Sequence, residues 1–305
     1  MDKLENFEIE RKKYLKKVRL FMWIAIGSFI AFFILFFCGI IITIEDSPSL
    51  LVLFFCGILF LVSTFFAVLS TIYSKKWKIY FKNNIVKVLI EKEYPNCEFS
   101  ESNGFSFEEF YEPKFFAKTD RYLSSNYMKA VYKDILIRAS DFELQRRQQN
   151  EKGSSYYVTV AKGRMYILTF DRVFENIVKV TEKTGLLNFN FTSMKKVEME
   201  SVEFNKKFLT LSTDDLAAFY VLTPQIQETM LNIEKQFKGT IYYCFKDNHL
   251  FIAINNGEES FKCSVFTPLN NLDKVLNEIR IPQKLVDAFK LDREKFNSNS
   301  TTSGV

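Results

Sequence analysis

The chain of 305 residues has one histidine, His249, and five cysteines at 38, 56, 97, 244 and 263. No CxxC pair and no His/Cys cluster occurs, so neither a zinc site nor a disulfide framework is expected. Scattered thiols suit a reducing compartment. A catalytic imidazole needs a nucleophile or acid placed beside it. Asp247-Asn248-His249 supplies no such motif and reads as a turn, with His249 facing solvent. The ten glycines form neither a P-loop nor a GxGxxG pattern. Asp214-Asp215 is an adjacent acid pair that could join a metal or paired-carboxylate site, but it sits where a turn between strands would put acids, and the turn is the better reading. No catalytic, cofactor-binding or metal-ligating residue is therefore assigned, and no cofactor is expected.

The elements that would have to position any chemistry begin with two apolar runs. Residues 20–44 and 50–73 carry no charge over 25 and 24 positions. As helices they would extend about 36–38 Å at 1.5 Å per residue, enough to cross a hydrocarbon core of about 30 Å. Glu45-Asp46-Ser47-Pro48-Ser49 between them reads as a tight polar turn, so the spans form a hairpin. A cleaved signal peptide has a shorter core and no second span directly behind it. The spans contain no ionisable side chain of the kind that proton or ion pathways use, so an anchor is expected rather than a transporter. Small residues at Gly27/Ala31 and Ser63/Ala67 have the spacing that lets membrane helices approach closely.

Charge sets the expected topology. Residues 1–92 carry 13 Lys or Arg against 7 Asp or Glu, or +6; the remainder carries 28 against 29, or −1. The bases flank the spans, from Arg11 to Arg19 before the first and from Lys75 to Lys82 after the second. The positive-inside rule then places both termini in the cytoplasm and the turn outside. The same flanks are candidates for contact with anionic lipid headgroups. A domain with net charge −1 lacks the basic surplus of a nucleic-acid binder.

The expected order is a basic cytoplasmic segment at 1–19, the transmembrane hairpin at 20–73, a juxtamembrane helix at 74–93, a cytoplasmic domain at 94–296 and a disordered tail at 297–305. The fold class is α+β, a mostly antiparallel sheet with packed helices, since no long helix separates the strand-like runs. These runs are 131–144, 156–160 and 165–170, with Lys162-Gly163-Arg164 as a turn, then 197–204, 208–212 and 217–222. Thr223-Pro224 starts a helix to about Phe237, ended by Gly239. Residues 241–246 and 250–254 form a strand pair about the 247–249 turn, 261–266 adds a strand, and 271–296 is helical with a break near Pro282. The aromatics between Gly104 and Phe116 are expected to close over the core. The sequence leaves open whether the domain divides near Gly185.

Met199-Glu200-Ser201-Val202-Glu203-Phe204-Asn205-Lys206-Lys207-Phe208 resembles the signature of a bacterial membrane-protein family known as domain of unknown function 3137. So do Asp214-Asp215, Leu222-Thr223-Pro224 and Phe245-Lys246-Asp247-Asn248-His249-Leu250. The resemblance extends to a two-helix anchor and to Gly163-Arg164, and covers most of residues 20–266. It implies no reaction, substrate, cofactor or active-site residue. The expected function is a membrane-anchored interaction or ligand-sensing module with an unidentified protein partner. A hydrolase or transferase acting on a membrane-associated substrate through Asp214 or Asp215 is the alternative. A structural subunit of a membrane complex, with the hairpin as its interface, is another.

Overall fold

The computed structural model describes residues 2–42, 50–151, 153–183, 194–269, 272–291 and 296. The 45–49 turn, Gly185 and the 297–305 tail lie outside these residues. The chain divides into two compact units, Met1–Val86 with Lys262–Lys274, and Lys87–Phe261 with Val275–Val305.

The first unit is built on two long helices, α1 (Asp2–Ile42) and α2 (Leu50–Tyr80), the latter passing into a π-helical turn at Phe81–Val86. The basic segment before the first apolar run is thus helical and continuous with it. Both helices are long and apolar enough to cross a membrane, and little of either apolar window is covered by protein. Trp23, Leu51 and Leu61 are each about two-thirds exposed, as side chains meant for lipid would be. The helices meet through Phe21 and Tyr73, whose ring centroids are 5.3 Å apart, and through Ser63, whose buried hydroxyl donates to the Ala25 carbonyl at 2.9 Å. Ser63 therefore lies in the contact between the helices. Gly27 is exposed, and a Cβ there would meet nothing within 4 Å, so close packing does not run through it.

Beyond the apolar windows the helices continue as a polar-faced pair with an aromatic interior. Trp77 is fully buried, with Tyr14, Tyr80 and Phe81 within about 6 Å. Residues 262–274 belong to this pair. Val265 and Leu269 are buried there, the Val265 carbonyl accepts from Arg11 Nη1 at 2.5 Å, and the Leu269 amide donates to Glu8 at 3.1 Å.

In the second unit α3 (Lys87–Glu93) leads into a seven-stranded antiparallel sheet. Its strands are β1 (Glu98–Ser100), β2 (Arg121–Tyr132), β3 (Ile135–Gln149), β4 (Ser155–Glu182), β5 (Lys195–Val197), β6 (Phe208–Ser212) and β7 (Thr240–Asn255). The path runs β1-β2-β3-β4-β6-β5, and β7 pairs with β4. β4 is the spine: its first half pairs with β3, its end pairs with β6, and β7 runs along both stretches. The expected α+β class with an antiparallel sheet is what the chain adopts.

One face of the sheet is closed by α4 (Phe107–Tyr111) and the aromatic residues around it. Ser106 caps this helix reciprocally with Glu109, two bonds that the Ser-Phe-Glu-Glu order makes available. Phe110 packs on Tyr122 at 4.7 Å and on Phe142 at 5.0 Å. The expected role of the 104–116 aromatics as core cover is what is observed. Elsewhere Tyr94 donates to the Ile279 carbonyl at 2.9 Å, and Phe289 lies 5.8 Å from Tyr243. α8 (Asp273–Ile279) and α9 (Ile281–Phe289) carry Ile279 and Phe289, and their junction precedes Pro282 as expected.

Several local expectations are corrected. Lys162-Gly163-Arg164 is not a turn but the interior of the 28-residue β4. Gly163 is needed there because a Cβ would overlap the Ile254 carbonyl oxygen of β7. Residues 247–249 do not reverse the chain. Asp247 takes a left-handed φ of 52° and stands opposite Phe174, and the register slips on both sides of it because β4 carries the extra residues, 170–173 and 175–177, so β4 bulges while β7 continues. Residues 217–222 are mostly helix, α6 (Asp215–Val221), and 202–204 open a second helix, α5 (Val202–Lys207). Residues 261–266 form no strand. Lys133 and Asp134, both at positive φ, make the two-residue hairpin turn that separates β2 from β3. α7 (Pro224–Gln236) begins at Pro224 as expected, although Thr223 makes no side-chain cap bond.

Candidate functional site

The candidate groups fall apart in space. Asp214 is the N-cap of α6, its carboxylate accepting from the Ala217 amide at 3.2 Å. Asp215 is exposed in the first turn of that helix. Neither lines any of the three clefts described below. His249 lies within β7 rather than in a solvent-facing turn. It is half-buried, opposite Thr169 and 5.5 Å from the Phe251 ring. Burial and then the charge of Arg138 lower its pKa, so it stays neutral near pH 7. Its Nδ1 and the Thr169 hydroxyl have no hydrogen-bond partner among the described residues. Cys244 is fully buried, and burial pushes its thiol up to about 12. That makes it inert as a nucleophile. Among the described residues no group of three or more His, Cys, Asp or Glu side chains could hold a metal.

What the fold does bring together is a buried polar centre on β3 and β4. Asp141 and Arg164 are directly opposite in register and joined at 2.6 Å. Asp141, 4% exposed, accepts three further bonds. Asn126 Nδ2 reaches Oδ2 at 2.7 Å, the Ser260 amide reaches the same oxygen at 2.8 Å, and Ser260 Oγ reaches Oδ1 at 2.8 Å. Asn126 takes φ 55° in the β2 bulge, a conformation that asparagine tolerates. Arg164 also lies over the Phe261 ring at 5.1 Å and the Tyr166 ring at 5.8 Å. A carboxylate filled by four donors has no lone pair left for general-base work. The centre therefore acts as a tie between the β2 bulge, β3, β4 and the chain after β7.

Two clefts adjoin it, and a third shares Glu143 and Lys162 with the first. One of about 200 Å³ is lined by Ser124, Asp141, Glu143, Lys162, Glu258 and Glu259, among others. A second, of about 180 Å³, lies between Arg164, Tyr166, Phe237, Ser260 and Glu278. A third, shallower, of about 350 Å³, includes Glu143, Thr159, Lys162 and Asn255. Glu143 there receives Lys162 at 2.6 Å and both Thr159 and Gln145 at 2.8 Å. The Lys162 ammonium foremost, with these two donors, holds the carboxyl down to about 2 against the opposing effect of burial. The first two clefts are smaller than the roughly 300–1,000 Å³ of typical small-molecule sites.

The Asp141–Arg164 pair went unnoticed in the sequence, although strand alternation carried a signal. Asp141 shares a face with the buried Ile137 and Ala139, and Arg164 shares one with Tyr166 and Leu168. Opposite charges on two apolar faces are what a cross-strand buried pair requires.

Residues 159–291 match the model of a family described as a protein of unknown function, DUF3137. The resemblance read from the sequence is thus shown, over a stretch that begins after the helical hairpin and runs past Phe266. No curated protein matches the chain. Among solved structures, the crystal structure of the mycobacterial trehalose monomycolate transport factor A, TtfA, covers 68% of this chain and 96% of that chain. Its identity is 9% and its TM-score 0.37, a likeness that carries no functional argument.

Proposed function

We propose that the protein is a membrane-anchored interaction module. The α1–α2 hairpin enters the bilayer through residues 20–73, both termini are cytoplasmic, and the sheet domain binds a protein partner rather than performing a reaction. The observation that carries this reading is the uncovered apolar surface of the two long helices, which only lipid or another apolar phase would satisfy. The basic flanks favour the cytoplasmic side and contact with anionic headgroups. The hydrolase or transferase reading depended on Asp214 or Asp215. It loses support because Asp214 is committed to a helix cap and neither acid lines a described cleft.

Thiol labelling with a membrane-impermeant maleimide tests the topology. Cys97 and Cys263 are the useful reporters, since both are partly exposed while Cys244 is buried. Labelling only after permeabilisation is expected; labelling of intact cells would sink the cytoplasmic assignment. Proximity labelling from the C-terminus tests the interaction. A reproducible specific partner is expected, and recovery of abundant bystanders alone would count against the reading.

A further inference from the structure

We infer that the open edge of β4 at Ser155–Thr159 is a docking strand, and that its occupant is the same strand of a second copy of this chain, paired antiparallel about a two-fold axis. Past the reach of their neighbours, β3 and β4 continue as a two-stranded ribbon. β2 begins at Arg121 opposite Gln145, and β7 ends at Asn255 opposite Gly163. One bond fixes which way the backbone groups of the ribbon point. The Arg147 amide donates to Asp120 Oδ2 at 2.8 Å, from the residue just before β2. Arg147 thus turns its backbone away from Tyr157, its partner in register. In an antiparallel ladder Tyr157 must then turn its own N–H and C=O away from β3. Ser155 and Thr159, two residues to either side, face the same open way. Among the described residues no strand pairs with this edge, and the shallow third cleft opens beside Thr159. Val160 is the extra residue of a register slip, so the regular edge ends before it.

Charge identifies the occupant. Natural sheets guard open edges with charged side chains, proline or bulges. The other edge of the ribbon is guarded in this way, because the exposed Arg146 and Arg147 stand on it and Asp120 occupies the Arg147 amide. Ser155-Tyr156-Tyr157-Val158-Thr159 has no charge and consists mostly of strand formers, with Tyr156 and Tyr157 each about half exposed. Such an edge can pair with itself without setting like charges opposite each other. With Tyr157 on the axis, it meets its own counterpart, and Ser155 meets Thr159 of the second copy. The outward groups of both copies are then satisfied together, in about six backbone hydrogen bonds, and the contact is isologous and closed. The charges nearby permit it. Arg121 lies over the Tyr157 ring at 5.5 Å, so both rings stand between the two guanidinium groups. The two copies of β3, with Arg146 and Arg147, are three strand spacings apart, about 14 Å, beyond the screening length of about 8 Å. Glu151 and Lys152 cancel at the ribbon's tip, and Lys162 is held by Glu143 at 2.6 Å. A shared membrane raises the effective concentration of the copies, so a short contact suffices. This goes beyond the reading above, from which it takes only the anchor.

The test is disulfide cross-linking of the full-length chain in its membrane, with copper phenanthroline as oxidant and mass spectrometry to map the bond. Tyr157→Cys should give a dimer joined through residue 157 of both copies. Ser155→Cys or Thr159→Cys alone should give at least tenfold less, because neither stands opposite itself. Co-expression of the Ser155→Cys chain with the Thr159→Cys chain should restore the yield as a mixed disulfide. Adding Tyr157→Lys to both of these chains sets two ammonium groups on the axis and should lower the mixed disulfide at least tenfold. No disulfide at residue 157, equal yields from the three single variants, or a mixed disulfide indifferent to Tyr157→Lys would each overturn the inference. So would capture of a different protein by Tyr157→Cys. These failures leave the interaction reading standing, since proximity labelling of other proteins tests it separately.

Discussion

Arg11, in the first helix, donates to the carbonyl of Val265 across 254 residues of sequence, at 2.5 Å. The guanidinium is almost fully buried and is held in place by a two-point contact with Glu8, at 2.9 and 2.6 Å. Glu8 in turn accepts from the Leu269 amide, and Trp77 Nε1 approaches Cys263 Sγ at 3.3 Å. An irregular segment is thereby fixed to the helix pair by polar groups from both helices, with Val265 and Leu269 as its apolar anchors.

Arg11→Ala should release this segment. A hydrogen bond to a charged group contributes about 1.5–3 kcal/mol, so local opening should become at least about tenfold more frequent. Cys263, whose thiol pKa is raised by burial, reports this directly. Its maleimide labelling should accelerate by a similar factor in the variant while Cys97 labelling stays constant. An unchanged rate at Cys263 would show that the apolar anchors alone hold the segment.

Asp141 and Arg164 make the second tie. Asp141→Leu leaves a buried guanidinium without its partner and should destabilise the sheet domain by about 3–5 kcal/mol. Adding Arg164→Met removes that stranded charge and should recover more than half of the loss. Recovery stays incomplete because the Asn126 and Ser260 donors keep no acceptor. Denaturant unfolding of the detergent-solubilised chain, followed by circular dichroism, checks both. Equal stability of the single and double variants would mean that the carboxylate matters through Asn126 and Ser260 instead.

These relationships show where the sequence was readable. The two long apolar helices were legible because uncharged runs of 25 and 24 residues are long enough to cross a bilayer, and the helices α1 and α2 contain them. The antiparallel class followed from short alternating segments, and Thr223-Pro224 announced its helix. The misread places share one cause, tertiary context overriding local pattern. Gly163 looks like turn chemistry, yet it is a glycine because the β7 backbone passes too close for a Cβ. Asp247-Asn248 looks like a reversal and is the interior of β7, which runs on opposite a bulged β4. Leu216 to Leu222 looks like a strand because its exposed face is apolar, and helical amphipathicity is then invisible. The start of the segment 262–274 reads as a strand and is irregular, since its fixed points at Trp77, Arg11 and Glu8 lie 186 to 261 residues away.

Glu143 gives a prediction in pH. Its folded pKa, about 2, lies below the unfolded value of about 4.3. A depressed carboxylate stabilises the fold fully above the unfolded value, and that contribution is lost as pH falls through the folded one. Glu143→Gln should therefore be less stable than the parent at pH 7, with a gap that narrows below about pH 4.3 and closes near pH 2. Melting temperatures taken across this range test it. A gap independent of pH would mean that the glutamine change acts through packing rather than charge.

Asp214 separates structure from chemistry. As the N-cap of α6 its carboxylate satisfies an amide that the helix leaves unpaired, a role that Asn and Ser perform as well. Asp214→Ala should cost about 1 kcal/mol, visible as a lower melting temperature, and Asp214→Asn or Asp214→Ser should restore most of it. Asp215→Ala, at an exposed position, should change stability little. A carboxylate that worked as an acid or base would behave differently, because Asn and Ser cannot replace its charge. A cellular phenotype that Asp214→Ser rescues therefore supports the cap. A phenotype that persists in Asp214→Asn and Asp214→Ser at parental stability would instead return this acid pair to the search for an active site.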